Sequence, residues 1–233
     1  MGAFHAYDIR GIYNVDFDKD TAYKVGYFLP ELLGTDRVLV GRDCRVSSPE
    51  IHDCLIKGIT DAGADVDDIG LSSTPLVYFG TANYGYKASV QITASHNPAE
   101  YNGIKFLGSD GCKLSDDEEL AIENLLSDEA NNSASKKIGR VHFRADLVKH
   151  YASHIAGCLE DGAAVNNVVF DCAAGASAMS VPVLVENSKF SELNTNIISK
   201  DFYYPTKQII LQPLTKYVQA VKKVIGYGIY FLS

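Results

Sequence analysis

The sequence predicts an α/β protein with two successive α/β domains. Three observations carry that expectation. Short apolar runs that suit buried strands alternate with amphipathic runs that suit helices. Small, polar and turn-forming residues follow the strands, as at 93–98 and 172–176. The strand-then-helix pattern also starts afresh after a polar stretch at 127–139. With 233 residues, 46% of them hydrophobic and 21% charged, the chain is long enough for two modest domains, and disorder, collagen-like repeats and coiled coil are excluded.

The elements follow in order. Asp20-Thr21 can start a helix with Val25, Phe28, Leu29, Leu32 and Leu33 on one face. Arg37-Val-Leu-Val-Gly41 suits a buried parallel strand. Ser48 can cap the next helix, Pro49 fits its first turn, Ile51, Leu55, Ile59 and Ala62 keep helical spacing, and Gly63 closes it. Asp67-Asp68 reads as a turn. Thr74-Pro75 begins a shorter helix through Phe79 and Ala82, ending near Gly85. The strand Ala88–Ile92 runs into Thr93–Pro98, and Gly103–Leu107 returns as the second strand of a hairpin-like excursion. Ser115 and Glu118 form a capping box before Leu120, Ile122 and Leu125.

Asn131 to Lys137 is polar and reads as a surface connection, so the expected limits are 1–130, a linker at 131–142, and 143–233. Leu147, Tyr151, Ile155 and Leu159 predict a helix over 146–159. Val168–Asp171 is a strand, 172–176 a small-residue turn, and Val181, Val183 and Leu184 lie on a helix. A strand at 193–198, a helix at 214–224 and a strand at 228–231 complete the expectation.

Lys plus Arg number 21 against 29 for Asp plus Glu, a net charge of −8. An acidic chain is a poor electrostatic match to nucleic acid or to a membrane surface, so neither is expected as a partner. The balance is uneven: five lysines face one acid in 194–233, which makes that segment +4 and the rest −12. The five cysteines are odd in number and form no CxxC, which argues against a zinc knuckle or a disulfide scaffold. No apolar run approaches the ~18 residues of a membrane span, and the first residues lack the pattern of a signal peptide. A cytoplasmic protein with reduced thiols is expected.

Thr93-Ala-Ser-His-Asn-Pro98 is the sharpest chemical signal. It follows a strand, where α/β folds place reactive loops, and packs a hydroxyl, an imidazole, an amide and a turn-fixing proline together. A hydrolase dyad of Ser95 and His96 is disfavoured, since adjacent side chains usually diverge and the G-x-S-x-G elbow is absent. A capping serine beside a solvated turn histidine is the bland alternative.

This loop resembles the phosphoserine loop of the α-D-phosphohexomutases, the phosphomannomutase/phosphoglucomutase family. Companion motifs agree in order. Phe4-His-Ala-Tyr-Asp-Ile-Arg-Gly11 resembles the family's A-Y-D-I-R-G, and Val40-Gly-Arg-Asp-Cys-Arg45 its V-G-R-D-x-R. Tyr101-Asn-Gly-Ile-Lys105 resembles Y-N-G-x-K, and Asp171-Cys-Ala-Ala-Gly-Ala176 the opening of the second domain. Together they are far more specific than any one alone.

The resemblance implies a three-layer α/β/α mixed-sheet first domain of phosphohexomutase type, a second α/β domain that is incomplete here, and an isomerase that moves phosphate between the 1- and 6-positions of mannose or glucose. Ser95 would carry the phosphoryl group, donate it to a hexose phosphate, and recover the other phosphate from the bisphosphate. Arg10 and Lys105 would supply positive charge, and His96 a proton or a hydrogen bond. Tyr7, Asn97 and Asn102 would fix the loop and contact oxygens. Arg42 and Arg45 would orient Asp43 and the loop. Scaffold readings stay open beside these: Arg10 paired with Asp8 or Asp43, and Lys105 as a solvated edge lysine.

In the full-length family Mg²⁺ would bind through the phosphate on Ser95 and a D-G-D-x-D-R loop expected directly after Phe231. Here Leu232-Ser233 follows, so the expectation is that this chain does not hold the metal and turns over little. A non-catalytic phosphosugar-binding module, or a structural fragment that self-associates through unpaired domain surfaces, are the alternatives.

Overall fold

A computed structural model describes residues 4–5, 8–127, 137–158, 167–172, 175–186 and 194–198. The first strands are β1 (Phe4–His5) and β2 (Asp8–Ile12). Helix α1 (Lys19–Leu32) is capped by Asp18, whose Oδ1 accepts from the Thr21 amide at 2.9 Å. Strand β3 (Arg37–Arg42) leads to α2 (Ser48–Asp61), and β4 (Asp65–Leu71) to α3 (Thr74–Tyr84). Gly85 ends α3 in the left-handed region at φ 71°. Strands β5 (Ala88–Ile92) and β6 (Tyr101–Gly108) form the anticipated hairpin. Helix α4 (Asp116–Ser127) begins with the capping box: the Ser115 amide and hydroxyl both donate to Glu118 Oε2. Strand β7 (Val141–Phe143) and helix α5 (Asp146–Gly157) follow.

Seven strands join in the order β1-β2-β6-β5-β3-β4-β7. The pairs β3–β4, β3–β5 and β4–β7 are parallel, while β1, β2 and β6 run antiparallel to their neighbours. The mixed sheet is the middle layer. On one side Val38, Val40, Val66, Ala88, Val90, Ile92 and Ile104 meet Val25 and Leu29 of α1, Ile51, Leu55 and Ile59 of α2, and Ile122 of α4. On the other side α3 covers the sheet, with Gly80 against Leu39. Burying a branched aliphatic residue stabilises by about 1.5–3 kcal/mol, so this apolar layer dominates the driving force.

The crossing of α1 and α2 depends on two glycines. A Cβ on Gly26 would sit 2.1 Å from the Leu55 carbonyl oxygen, and one on Gly58 would sit 2.1 Å from the Tyr23 oxygen. Only bare backbone permits that approach.

Three expectations need correction. Asp67-Asp68 lie inside β4 rather than in a turn, because buried His52 receives the Asp68 carboxylate and buried Tyr86, with Arg144, that of Asp67. Ser48 is the first residue within α2, not its cap; the cap position is Ser47, and the Ser48 hydroxyl turns to Asp43. Residues 141–142, expected within the connection, belong to the last strand of the sheet, where Val66↔Val141 and Asp67↔His142 pair.

By contacts the chain divides into residues 1–147 and 148–233. Within the second unit β8 (Asn167–Asp171) pairs in parallel with β9 (Asn194–Ile198). A short 3₁₀ turn at Ala176–Met179 and helix α6 (Val181–Glu186) lie between them in sequence, and Phe170, Cys172, Ala178 and Val181 form a small core. The β–turn–α pattern read from the sequence is present. The helix at 214–224 and the strand at 228–231 lie outside the described residues.

Candidate active site

The loop that joins β5 to β6 leaves the sheet beside the end of β3, and both are tied at the base. The Thr93 amide donates to the Gly103 carbonyl at 3.0 Å, and the Asp43 amide to the Ile92 carbonyl at 2.8 Å. Ser95 then adopts φ 55°, in the left-handed region that a β-substituted residue seldom occupies. Such a residue persists only where its surroundings over-determine it.

Arg45 supplies that determination. Its Nη1 donates to the carbonyls of Pro98 at 2.6 Å and Tyr101 at 3.0 Å; its Nη2 donates to those of Ser95 at 3.0 Å and Asn97 at 2.7 Å. One planar guanidinium thus gathers four carbonyl oxygens, three from the loop and one from the first residue of β6. Asp43 holds the guanidinium from behind, accepting from Arg45 Nε at 3.2 Å, from its amide at 3.0 Å, and from the Ser48 hydroxyl at 2.5 Å. Arg42 donates to the Asp43 carbonyl at 3.3 Å. Inside the loop, the Ser95 amide donates to Thr93 Oγ1 at 2.9 Å and the Asn97 amide to the Ala94 carbonyl at 3.0 Å.

With the backbone committed inward, the side chains of Ser95 and His96 face solvent. Ser95 Oγ and His96 Nδ1 lie 3.2 Å apart, so these adjacent side chains meet rather than diverge. Asn97 is half-buried, and its carbonyl belongs to the Arg45 network.

Register places the cations. Arg10 pairs with Gly103 and Asp8 with Lys105 across β2 and β6, so Arg10 and Lys105 point to the same face, the one α3 covers. Lys105 is not on an edge: β6 lies between β2 and β5. Its Nζ donates to the Tyr78 hydroxyl at 3.2 Å. Asn102 points to the opposite face and is fully buried. Its Nδ2 donates to the hydroxyls of Ser47 at 2.8 Å and Ser48 at 2.9 Å, and its Oδ1 accepts from the Gly103 amide. Asn102 therefore locks the loop base onto α2 and is not placed to contact a ligand's oxygens. Tyr7 lies outside the described residues.

A model of the phosphoglucomutase/phosphomannomutase α/β/α domain I matches residues 1–133. The chain belongs to the α-D-phosphohexomutase family. A curated relative, the phosphoglucosamine mutase of Bacillus mycoides (strain KBAB4), is 36% identical over 205 residues, covering 84% of this chain and 45% of the relative. The phosphoglucosamine mutase of Anoxybacillus flavithermus is 37% identical over 186 residues, covering 76% and 42%. Among solved structures, a phosphoglucomutase/phosphomannomutase family protein from Burkholderia thailandensis superposes with a TM-score of 0.70 at 28% identity, over 86% of this chain and 44% of that one. A structure from Thermus thermophilus gives 0.76 at 23% identity, over 97% and 53%, a likeness that speaks to fold alone. The chain thus spans about half the length of the curated phosphohexomutases it matches.

Two further features bear on chemistry at this family's loop. Cys44 sits between Asp43 and Arg45; burial, then the Asp43 charge, push its thiol above the ordinary value, so it is not poised as a nucleophile. Among the described residues no group of three or more His, Cys, Asp or Glu converges on a metal position, and no helix is long and apolar enough to cross a membrane.

The sequence exposed Ser95, His96, Arg10 and Lys105 as candidates and assigned Arg42 and Arg45 to loop support. Tyr78 was missed. Nothing in Thr74-Pro-Leu-Val-Tyr78 indicates which strand the helix will overlie.

Proposed function

We propose that the chain carries the phosphoryl-accepting serine of a phosphohexomutase whose substrate class is hexosamine phosphate. The sugar is taken from the curated relatives, which are phosphoglucosamine mutases, in place of the mannose or glucose expected from the motifs. One observation carries the reading: Ser95 is held at positive φ by the Arg45 cage, with its hydroxyl outward and an imidazole 3.2 Å away.

Ser95 Oγ attacks the phosphorus of a hexosamine 1,6-bisphosphate. The Oγ–P bond forms as the bond from phosphorus to the sugar oxygen breaks. The serine proton passes to His96 Nδ1, and the departing sugar oxygen takes up a proton to become a hydroxyl. The reverse transfer places the phosphoryl group on the other position of the sugar. Transfer of this kind is catalysed mainly by positioning and charge. The loop supplies the first, and Arg10 and Lys105 on the neighbouring strands supply the second.

The test is to incubate the chain with glucosamine 1,6-bisphosphate and map its peptides by mass. One HPO₃ on Ser95, absent from Ser95→Ala, is the expected result, with slower labelling by the glucose and mannose bisphosphates. A bare Ser95, or equal labelling of Ser95→Ala, would overturn the assignment.

A further inference from the structure

The contact between Lys105 and α3 links a candidate cation to a residue outside the motifs read from the sequence. Lysine is a compact charge on a flexible stem, and its ammonium spreads over many positions unless something holds it. Here the ammonium donates to Tyr78 Oη at 3.2 Å and lies 5.8 Å from the centre of the same ring. Both groups are half-buried under α3.

Its neighbour on the sheet is already engaged. Register sets Lys105 beside Gln91, which is fully buried and bonded to Ser72: Nε2 donates to the Ser72 carbonyl at 3.0 Å, and Oε1 accepts from its hydroxyl at 3.3 Å. Gly41, next across, leaves room for that pair, since a Cβ there would sit 2.2 Å from Ser72 Oγ. The amide is thus fixed toward β3, and the phenol provides the acceptor. A neutral hydroxyl uses one of three ammonium donors and leaves the charge intact. A carboxylate would neutralise it.

We infer that Tyr78 is a positioning residue that aims the Lys105 ammonium at phosphate oxygens beside Ser95. The inference rests on the phosphoryl-transfer reading above and deepens it.

The test uses the full chain and Tyr78→Phe, which keeps the ring and removes the acceptor. Trace labelling with acetic anhydride, mapped by mass, reads the freedom of each lysine. Lys105 should label several-fold faster in Tyr78→Phe and faster again in Tyr78→Leu, while Lys57, remote from α3, is unchanged. Glucosamine 6-phosphate should protect Lys105 in the parent chain and less in the variant. Phosphoryl transfer to Ser95 should fall roughly tenfold, with no further loss when Tyr78→Phe is added to Lys105→Met.

Unchanged Lys105 labelling in Tyr78→Phe would overturn the inference. So would faster labelling with protection and transfer both undiminished. If the parent chain takes no phosphate but Tyr78→Phe frees Lys105 and weakens its protection, the positioning role is upheld and the transfer reading alone falls.

Discussion

Two arginine–aspartate clusters in the first unit use the same groups to opposite ends. Beside the Ser95 loop, Arg45 rests on Asp43 and spends its guanidinium on backbone carbonyls. Toward the starts of the parallel strands, Asp67 is almost wholly buried, accepts from the Tyr86 hydroxyl, and meets Arg144 Nη1 at 3.2 Å and Arg37 Nη1 at 3.7 Å. Arg144 also donates to Tyr86 at 2.9 Å and to Asp146 at 2.9 and 2.8 Å, and Arg37 stacks on the Tyr86 ring at 4.8 Å. The second cluster consumes its own side chains and ties β3, β4 and the segment after β7 together. The first consumes backbone and leaves side chains free. An arginine that binds side chains closes a structure, whereas one that binds carbonyls shapes a loop and keeps its surface available for chemistry.

The largest expected effect on stability tests the closed cluster. Asp67→Ala leaves Tyr86 and two guanidinium groups without their shared acceptor, and should cost about 3–5 kcal/mol in urea unfolding. The fraction still folded should accept phosphate on Ser95 as before. A smaller stability loss than Arg45→Met would break the comparison.

Arg45→Met should act the other way, losing about 2 kcal/mol of stability but slowing phosphoryl transfer to Ser95 roughly a hundredfold, because the serine is no longer held in position. Arg45→Lys keeps the charge on Asp43 without the planar fork and should recover only part of the rate. Free guanidinium ion added to the Met variant should restore some of it. A transfer rate unmoved by Arg45→Met would remove the loop-shaping role.

A third prediction sharpens the comparison with Asp68, the carboxylate next to Asp67 in β4. Burial works to raise the Asp68 carboxyl, but His52 Nε2 at 2.9 Å and the Gly70 amide at 2.7 Å outweigh it, and the net shift is downward. A carboxylate with a depressed folded value stabilises the protein above its unfolded value, and that stability is lost as pH falls through the folded value. Asp68→Asn should therefore cost about 1 kcal/mol at neutral pH. The cost should shrink below the ordinary carboxylate value; a cost that stays constant down to pH 2 would exclude the linkage. The smallest effect concerns Cys44. Its raised thiol should alkylate several-fold more slowly at pH 8 than exposed Cys112, and Asp43→Asn should narrow the gap.

Much of the fold was legible because local chemistry and tertiary structure agree. The Ser115–Glu118 box, the helix from Thr74 to Gly85 and the hairpin around 93–100 each rest on residues near in sequence. Asp67-Asp68 was misread because two acids in a row look like a turn. What makes them a strand is Tyr86, Arg144 and His52, distant in the chain. Strand β7 has three exposed residues and only parallel pairing with β4 to define it, which no local pattern discloses.

At the candidate site, residue types were legible and directions were not. Ser95, His96, Arg10 and Lys105 stand out by motif, yet Asn102 shares a motif with Lys105 and turns to the other face of the sheet. The amino-acid sequence alone determined the alternation of strands and helices, the resemblance of the loop to a phosphoserine motif, and the presence of Arg42 and Arg45 as candidates for loop support, since these depend on residue chemistry and short spacing. Only the tertiary structure decided that Arg45 gathers four carbonyls, that Lys105 lies inside the sheet, and that Tyr78 meets it. Those facts depend on strand order and register, which are set by burial of the whole apolar layer rather than by any neighbouring residue.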